Sequence, residues 1–208
     1  ILGYGSSQTL DSWFDPSAFP NIQFFIVDNG KQTYSKKLQP YVLYQTQHNL
    51  GCAGGWNLIC YIAFLYAEFG FDKIIISNED NIFTEEMIKQ VYESTSNTHI
   101  QGTYDRAFEF SMFGITKDCY LKVGKFDENF LMASSEDLDY KYRCKLADVT
   151  IGSLNISADL NKSETGGDTI PKFRDYNKWY YQYKWGNETF NHPYNIPNLT
   201  FKDVYLNA

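Results

Sequence analysis

Two acidic groups in this chain have residue types and surroundings suited to chemistry. The first follows Lys73-Ile74-Ile75-Ile76-Ser77, where three consecutive isoleucines read as a strand covered on both faces, and it consists of Asn78, Glu79 and Asp80. Open parallel sheets bind ligands in the crevice beyond the carboxyl ends of their strands, so these three residues stand where a ligand is expected. A hard cation such as Mg²⁺ or Mn²⁺ takes oxygen ligands, typically one or two carboxylates completed by substrate phosphates. The second group is Ser134-Ser135-Glu136-Asp137-Leu138-Asp139, with Arg143 beyond it. Its acids open a predicted helix, where the positive end of the dipole holds a carboxylate ionised and suits it to removing a hydroxyl proton. Asp137 and Asp139 are two apart and cannot share a helix face, so one points into a cleft while the other pairs outside. Each group also has a bland reading. Asn78 to Asp80 make an acidic loop before the next helix, and Asp139 pairs with Arg143 at a solvated helix start.

Two further strand ends join the first group. Tyr4 and Gly5 follow one short strand, and Asp28, Asn29 and Gly30 follow Ile-Gln-Phe-Phe-Ile-Val at 22–27. A nucleotide suits such a crevice: Tyr4 stacks on a base, Asp28 accepts a base N–H or ribose hydroxyl, and the backbone of Gly51, Gly54 and Gly55 approaches the ligand closely. The glycine spacing is not the dinucleotide fingerprint, and glycines also make ordinary turns.

The elements that must position these residues alternate. Strands are expected at 1–4, 22–27, 41–44 and 73–77, a helix starting near Leu10, a glycine-bearing loop at 48–57 and a helix at 57–69. Strand and helix in alternation predict a parallel α/β sheet. Phe83 to Tyr92 reads as a helix capped by Thr84. The second half is less regular: a strand at 108–115, a short helix at 117–123, a loop at 124–130, a helix at 136–145, a last strand at 154–158, a loop at Gly166-Gly167, and an aromatic helix at 176–185.

Composition narrows the function classes. A chain of 208 residues is most simply one domain. Aromatic residues make up 18%, with 17 Tyr and 16 Phe, and such rings serve as core or as stacking surface for sugars and bases. A formal charge of −7 argues against a nucleic-acid binder, which needs a basic stripe. No apolar run reaches the ~20 residues of a membrane span. Cys52, Cys60, Cys119 and Cys144 lack paired spacing, so free thiols in a reducing, cytoplasmic compartment are expected. The sequence opens on Ile1 without a signal peptide, so a shortened first strand is expected.

Taken in order, the chain resembles the GT-A glycosyltransferases of the large inverting family 2, especially its rhamnosyltransferase-like members. The matching residues are Val27-Asp28-Asn29, Asn49-Leu50-Gly51-Cys52-Ala53-Gly54-Gly55-Trp56-Asn57 and Ser77-Asn78-Glu79-Asp80. They continue with Val123-Gly124-Lys125-Phe126-Asp127-Glu128-Asn129-Phe130, Glu136-Asp137-Leu138-Asp139 with Arg143, and Tyr180-Tyr181-Gln182-Tyr183-Lys184-Trp185-Gly186. The set spans nearly the whole chain in the family's order. The resemblance implies a GT-A (Rossmann-like) α/β fold, a mixed, mainly parallel sheet flanked by helices in a single domain. Residues 1–100 would be its nucleotide-sugar half and 101–208 its acceptor and catalytic-base half.

It further implies that Asp80 is the last acid of a metal-binding motif for Mn²⁺ or Mg²⁺, that Asp28 contacts the base and that Tyr4 stacks on it. The donor site would also draw on Asn29, Asn49, Gly51, Gly54, Asn57, Asn78 and Glu79. Asp137 would be the catalytic base and Phe126-Asp127-Glu128 the acceptor-side loop. Relatives carry Asp where Asn78 stands, and many place a histidine after the last strand; here Asp159 substitutes as a second metal ligand. The implied activity is inverting transfer from a nucleoside-diphosphate sugar, a UDP-sugar favoured, to a glycan hydroxyl. The resemblance leaves room for further domains in a longer chain.

Two rival readings remain. A sugar nucleotidyltransferase needs a basic glycine-rich loop after the first strand, and residues 3–10 contain no basic residue. A non-catalytic carbohydrate-binding module would use the aromatic surface but would not need Asp80 and Asp137 at one crevice.

Overall fold

The protein is seen in a computed structural model, which describes residues 1–3, 7–30, 32–66, 69–103, 109–154, 159–160 and 169–186. The chain is mixed α/β. Its first sheet is parallel, β1 (Leu2–Gly3), β2 (Ile26–Asp28) and β3 (Val42–Gln45), with β1 at one edge and β2 in the middle. The helix α1 (Ser7–Trp13) lies between β1 and β2 in the chain. The second sheet runs in the order β4 (Lys73–Ser77), β7 (Met112–Thr116), β6 (His99–Thr103), β8 (Thr150–Leu154). β7 is antiparallel to both of its neighbours, and β6 and β8 run parallel. A parallel bridge between Leu2 and Asn78, with the Glu79 amide donating to the Leu2 carbonyl at 3.1 Å, ties β1 to the end of β4. The lanes therefore read β3-β2-β1-β4-β7-β6-β8. A small antiparallel pair, β5 (Asn81–Ile82) and β9 (Asp159–Leu160), follows the end of β4.

The isoleucines of β4 are covered on both sides, as their continuous run predicts. Ile76 is buried among Trp56, Phe64, Phe113, Phe126 and Tyr140, and Ile74 packs on the same cluster. Ile75 packs on the opposite one, with Leu10, Phe14, Phe83 and Ile88. The first cluster is closed by α2 (Gly51–Cys60), α4 (Lys117–Val123) and α5 (Glu136–Leu146), the second by α1 and α3 (Glu85–Ser94). The Thr84 hydroxyl accepts from the Met87 amide at 3.3 Å, the expected cap of α3.

Several expectations are corrected. The segment 48–57 is not a loop, because α2 begins at Gly51 and passes into a π-helical turn over Tyr61–Leu65. Gly54 and Gly55 lie inside that helix at a propensity cost of about 1 kcal/mol each relative to Ala. A Cβ on Gly55 would stand 2.6 Å from Leu2 Cδ1, and one on Gly54 2.8 Å from Leu50 Cβ. Gly55 lets α2 lie directly on β1, and Gly54 makes room for Leu50. The strand expected at 108–115 is a 3₁₀ turn at Glu109–Ser111 followed by β7, and β6 was not expected at all. The last long strand is β8 at Thr150–Leu154; residues 155–158 lie outside the described residues, as do Gly166 and Gly167. The aromatic helix α6 is longer than its periodicity suggests, Thr169–Trp185.

Candidate functional site

The carboxyl ends of β1, β2 and β4 and the start of α2 form one neighbourhood, to which the loop before α5 is tied by the Cys52 amide on the Met132 carbonyl. On its β2 side, Asp28 is fully buried. Its Oδ2 accepts from the Gln32 amide at 2.7 Å and the Gln45 side chain at 2.5 Å, while Oδ1 is buried without a hydrogen-bond partner. Both polar atoms of the Gln32 side chain and the Tyr34 hydroxyl are likewise buried and unpaired. They gather over Gly3, where a Cβ would meet the Tyr34 hydroxyl at 2.1 Å and Gln32 Nε2 at 3.4 Å. Burial raises the Tyr34 phenol pKa, and the charges of Asp28 and Glu79 raise it further. Buried polar atoms are rarely left unpaired, and two of these, the Tyr34 hydroxyl and Gln32 Nε2, stand directly over Gly3. Gln32 and Tyr34 carry no local sequence signal and were missed; Tyr4 lies outside the described residues.

Asn29 and Asn49 hold the entry to α2. Asn29 Nδ2 donates to Asn49 Oδ1 and to the Gly51 carbonyl, both at 3.0 Å, and Asn29 Oδ1 accepts from the Leu50 amide at 2.8 Å. Asn49 Oδ1 also accepts from the Gly51 amide at 2.8 Å, fixing Gly51 at φ 72°. Asn57 is spent on the loop at 126–128: it donates to the Phe126 carbonyl at 2.9 Å and Glu128 Oε1 at 2.7 Å, and accepts from the Phe126 amide at 2.8 Å. Asn78 Oδ1 accepts from the Trp56 indole at 3.4 Å. Gly54 faces Leu50 from within α2.

Glu79 and Asp80 act on different groups. The charge of Glu79 is felt at Tyr34, while that of Asp80 is felt at Cys52 in the first turn of α2. Burial pushes the Cys52 thiol well up, and the charges of Glu136, Asp80 and Asp137 add to this. Cys52 thus feels charge from both the end of β4 and the start of α5. Glu136 and Asp137 are both buried. Glu136 is pushed up to about 8, first by burial and then by the neighbouring Asp137 charge.

The loop that delivers Asp137 is strained. Met132, Ser134 and Ser135 have φ of 59°, 97° and 73°, a left-handed region that costs a non-glycine residue roughly 1–2 kcal/mol. Ser135 stands at the helix cap but makes no side-chain cap bond. The loop is clamped from both sides. Cys52 donates its amide to the Met132 carbonyl at 2.6 Å. From α6, the buried Asn177 accepts from the Leu131 amide at 2.8 Å and donates to the carbonyls of Leu131 at 2.8 Å and Ala133 at 3.1 Å. Such strain clusters at functional sites where the surroundings over-determine the backbone. Asn177, inside an aromatic helix, had no local sequence signal.

Asp139 faces away from the crevice and is fully buried. Arg143 Nε reaches its Oδ2 at 2.8 Å, and Lys184 and the Trp185 indole reach Oδ1 at 2.7 and 3.0 Å. Lys184 also meets Asp127 Oδ2 at 2.7 Å, where Tyr180 donates at 3.0 Å. Burial opposes the Asp127 charge, but the Lys184 bond and the Asn129 donors outweigh it and hold the carboxyl below its usual range. The helix of Tyr180 to Trp185 thereby fastens the loop that carries Asp127 and α5 to each other.

Among the described residues, no group of three or more His, Cys, Asp or Glu is arranged to hold a metal by itself. The donor set at Asp80 suits only a cation that takes its remaining oxygens from a bound diphosphate and water. Register places Asp159 opposite Ile82, two residues past Asp80, although its side chain lies outside the described residues. All four cysteines are free thiols. No helix among the described residues is long and apolar enough to cross a membrane. Comparison with known proteins adds no relative: the chain matches no protein-family model and none of the curated proteins.

Proposed function

We propose that this chain is a GT-A-type inverting glycosyltransferase that moves a sugar from a nucleoside-diphosphate donor, a UDP-sugar favoured, to a glycan hydroxyl. One observation carries the reading: the charges of Asp80, after β4, and of Asp137, at the start of α5, both act on Cys52 in the first turn of α2, as expected if one carboxylate serves the diphosphate and the other the acceptor. Asp28, with one oxygen saturated by two N–H groups and the other unpaired, offers a single acceptor to a base N–H. A divalent cation on Asp80 would neutralise charge on the departing diphosphate, a Lewis-acid role. Asp137 takes the proton of the acceptor hydroxyl as its oxygen attacks the anomeric carbon from the face opposite the diphosphate. One base suffices, because no covalent intermediate is formed. Glu136 beside it, holding its own proton at neutral pH, adds no second negative charge to the base.

The test is a panel of nucleoside-diphosphate sugars with and without Mn²⁺, read as released nucleoside diphosphate. Metal-dependent release from one donor class, lost in Asp137→Asn, is expected. Sugar binding without release from any donor would favour a carbohydrate-binding module, and pyrophosphate release from a nucleoside triphosphate would favour a nucleotidyltransferase.

A further inference from the structure

The circumference of α5 divides into two arcs. Glu136, Asp137, Asp139, Tyr140 and Cys144 are buried, and Arg143 turns inward to Asp139. The outward arc carries Leu138, Lys141, Tyr142, Lys145 and Leu146, spaced i, i+3, i+4, i+7 and i+8, and covers about 140° at ~3.6 residues per turn. Leu138, Tyr142 and Leu146 are 45%, 38% and 62% exposed. They make an apolar ridge about 12 Å long at ~1.5 Å per residue. Lys145, exposed, and Lys141, half-buried, lie along one side of that ridge.

The neighbouring helices continue this surface. The Trp185 ring of α6 meets Tyr142 edge-on, with centroids 4.5 Å apart. The end of α4 is tied to α5 by Arg143 Nη1 donating to the Val123 carbonyl at 3.1 Å, and α4 exposes Leu121 and Lys122. Asp118, one turn before Lys122, accepts from the Asn97 side chain at 2.6 Å.

The charge of the outward arc runs against that of the chain. Acids outnumber Lys and Arg by 25 to 18, yet the arc holds two lysines and no acid. A single exposed leucine is ordinary, but three apolar side chains in line beside two lysines form a patch. Lysine is depleted from the cores of protein–protein interfaces, which disfavours a protein partner here. At a lipid surface the lysine stems lie along the apolar layer while their ammonium groups reach phosphates, and Tyr and Trp settle at headgroup level.

We propose that the outward face of α5 docks on an anionic lipid surface, with Leu138, Tyr142 and Leu146 entering the headgroup layer and Lys141 and Lys145 meeting lipid phosphates. The net charge of −7 does not forbid this. At physiological ionic strength, charges further than about 8 Å from the headgroups are largely screened, so the lysines at the contact set its sign. Apolar and basic signals act together on one short face, and the attachment is peripheral and reversible.

Co-sedimentation with vesicles tests this, using phosphatidylcholine alone and phosphatidylcholine mixed with phosphatidylserine. The chain is expected to sediment with the mixed vesicles, less with the neutral ones, and to be released as salt is raised. Lys145→Glu should weaken partitioning by about tenfold or more, and Lys145→Gln by a smaller factor. Leu138→Gln combined with Leu146→Gln should also weaken it by about tenfold or more. Thermal unfolding of each variant confirms that it is folded. No sedimentation with the mixed vesicles, or equal sedimentation of wild type and folded variants, would overturn the proposal. Self-association without vesicles that the leucine variants abolish would assign the face to a second copy and likewise overturn it. The assay contains no donor, metal or acceptor, so its outcome is independent of the proposed reaction.

Discussion

The Trp185 indole donates to Asp139 Oδ1 at 3.0 Å, joining the last residue of α6 to the first turn of α5. With Arg143 and Lys184 also on this carboxylate, Asp139 is fully occupied in holding two helices together. The charge of Asp137, two residues earlier, acts instead on Cys52. Neighbouring acids in one motif therefore stand in different surroundings.

That separation is measurable. Asp137→Asn keeps the shape but cannot take a proton, so transfer should fall by ~10²–10⁴ with donor affinity and Tm nearly unchanged. Asp139→Asn should cost about 2–3 kcal/mol of stability through its charged partners, with a smaller effect on chemistry at temperatures where it remains folded. Transfer rate, donor binding and thermal unfolding on both variants decide it. An active Asp137→Asn beside an inactive, fully stable Asp139→Asn would reverse the assignment.

Asp80→Ala should abolish the part of nucleoside-diphosphate affinity that depends on Mn²⁺ and leave the metal-independent part in place. The residue follows β4 and is not part of its ladder, so the fold should survive. Calorimetric titration with and without Mn²⁺ reads this directly. The same metal dependence in variant and wild type would remove Asp80 from the site.

Glu136 makes stability depend on pH. Its folded pKa of about 8 lies above the ordinary 4.5, so between these values the folded chain keeps a proton that the unfolded chain has lost. Stability is therefore highest on this account below pH 4.5 and falls as pH rises towards 8, by up to about 1.4 kcal/mol per pH unit. Glu136→Gln, neutral throughout, should flatten that slope relative to wild type. Urea unfolding at pH 5, 6.5 and 8 on both proteins checks it; parallel profiles would place the titration elsewhere.

Asn177→Leu should cost about 1–3 kcal/mol, because the Leu131 amide and the carbonyls of Leu131 and Ala133 would be left without their partner. The strained turn at Met132 to Ser135 should loosen first. Faster amide exchange across 131–139, with β4 and β7 still protected, is the expected signature. A uniform loss of protection would make Asn177 an ordinary core residue.

Much of this architecture was legible along the chain. Three adjacent isoleucines determine a strand buried on both faces, because no alternation is left for a solvent side, and the clusters around Ile74, Ile75 and Ile76 agree. Thr84 ahead of Glu85 and Glu86 marks a helix start, since a cap and first-turn acids act within four residues. The pairing of Asp139 with Arg143 follows from one helical turn. What spans the sequence had to wait for tertiary structure. Gly54 and Gly55 look like loop residues until Leu50 and Leu2 are seen beside them, because only a close neighbour makes a missing Cβ worth its cost in a helix. Asn177 reads as one polar residue among aromatics until the loop at 131–133 supplies its three partners. The joint action of the Asp80 and Asp137 charges on Cys52 links segments 57 residues apart. Periodicity and capping report only on neighbours along the chain, whereas burial, strain and shared charge depend on which segments the fold presses together.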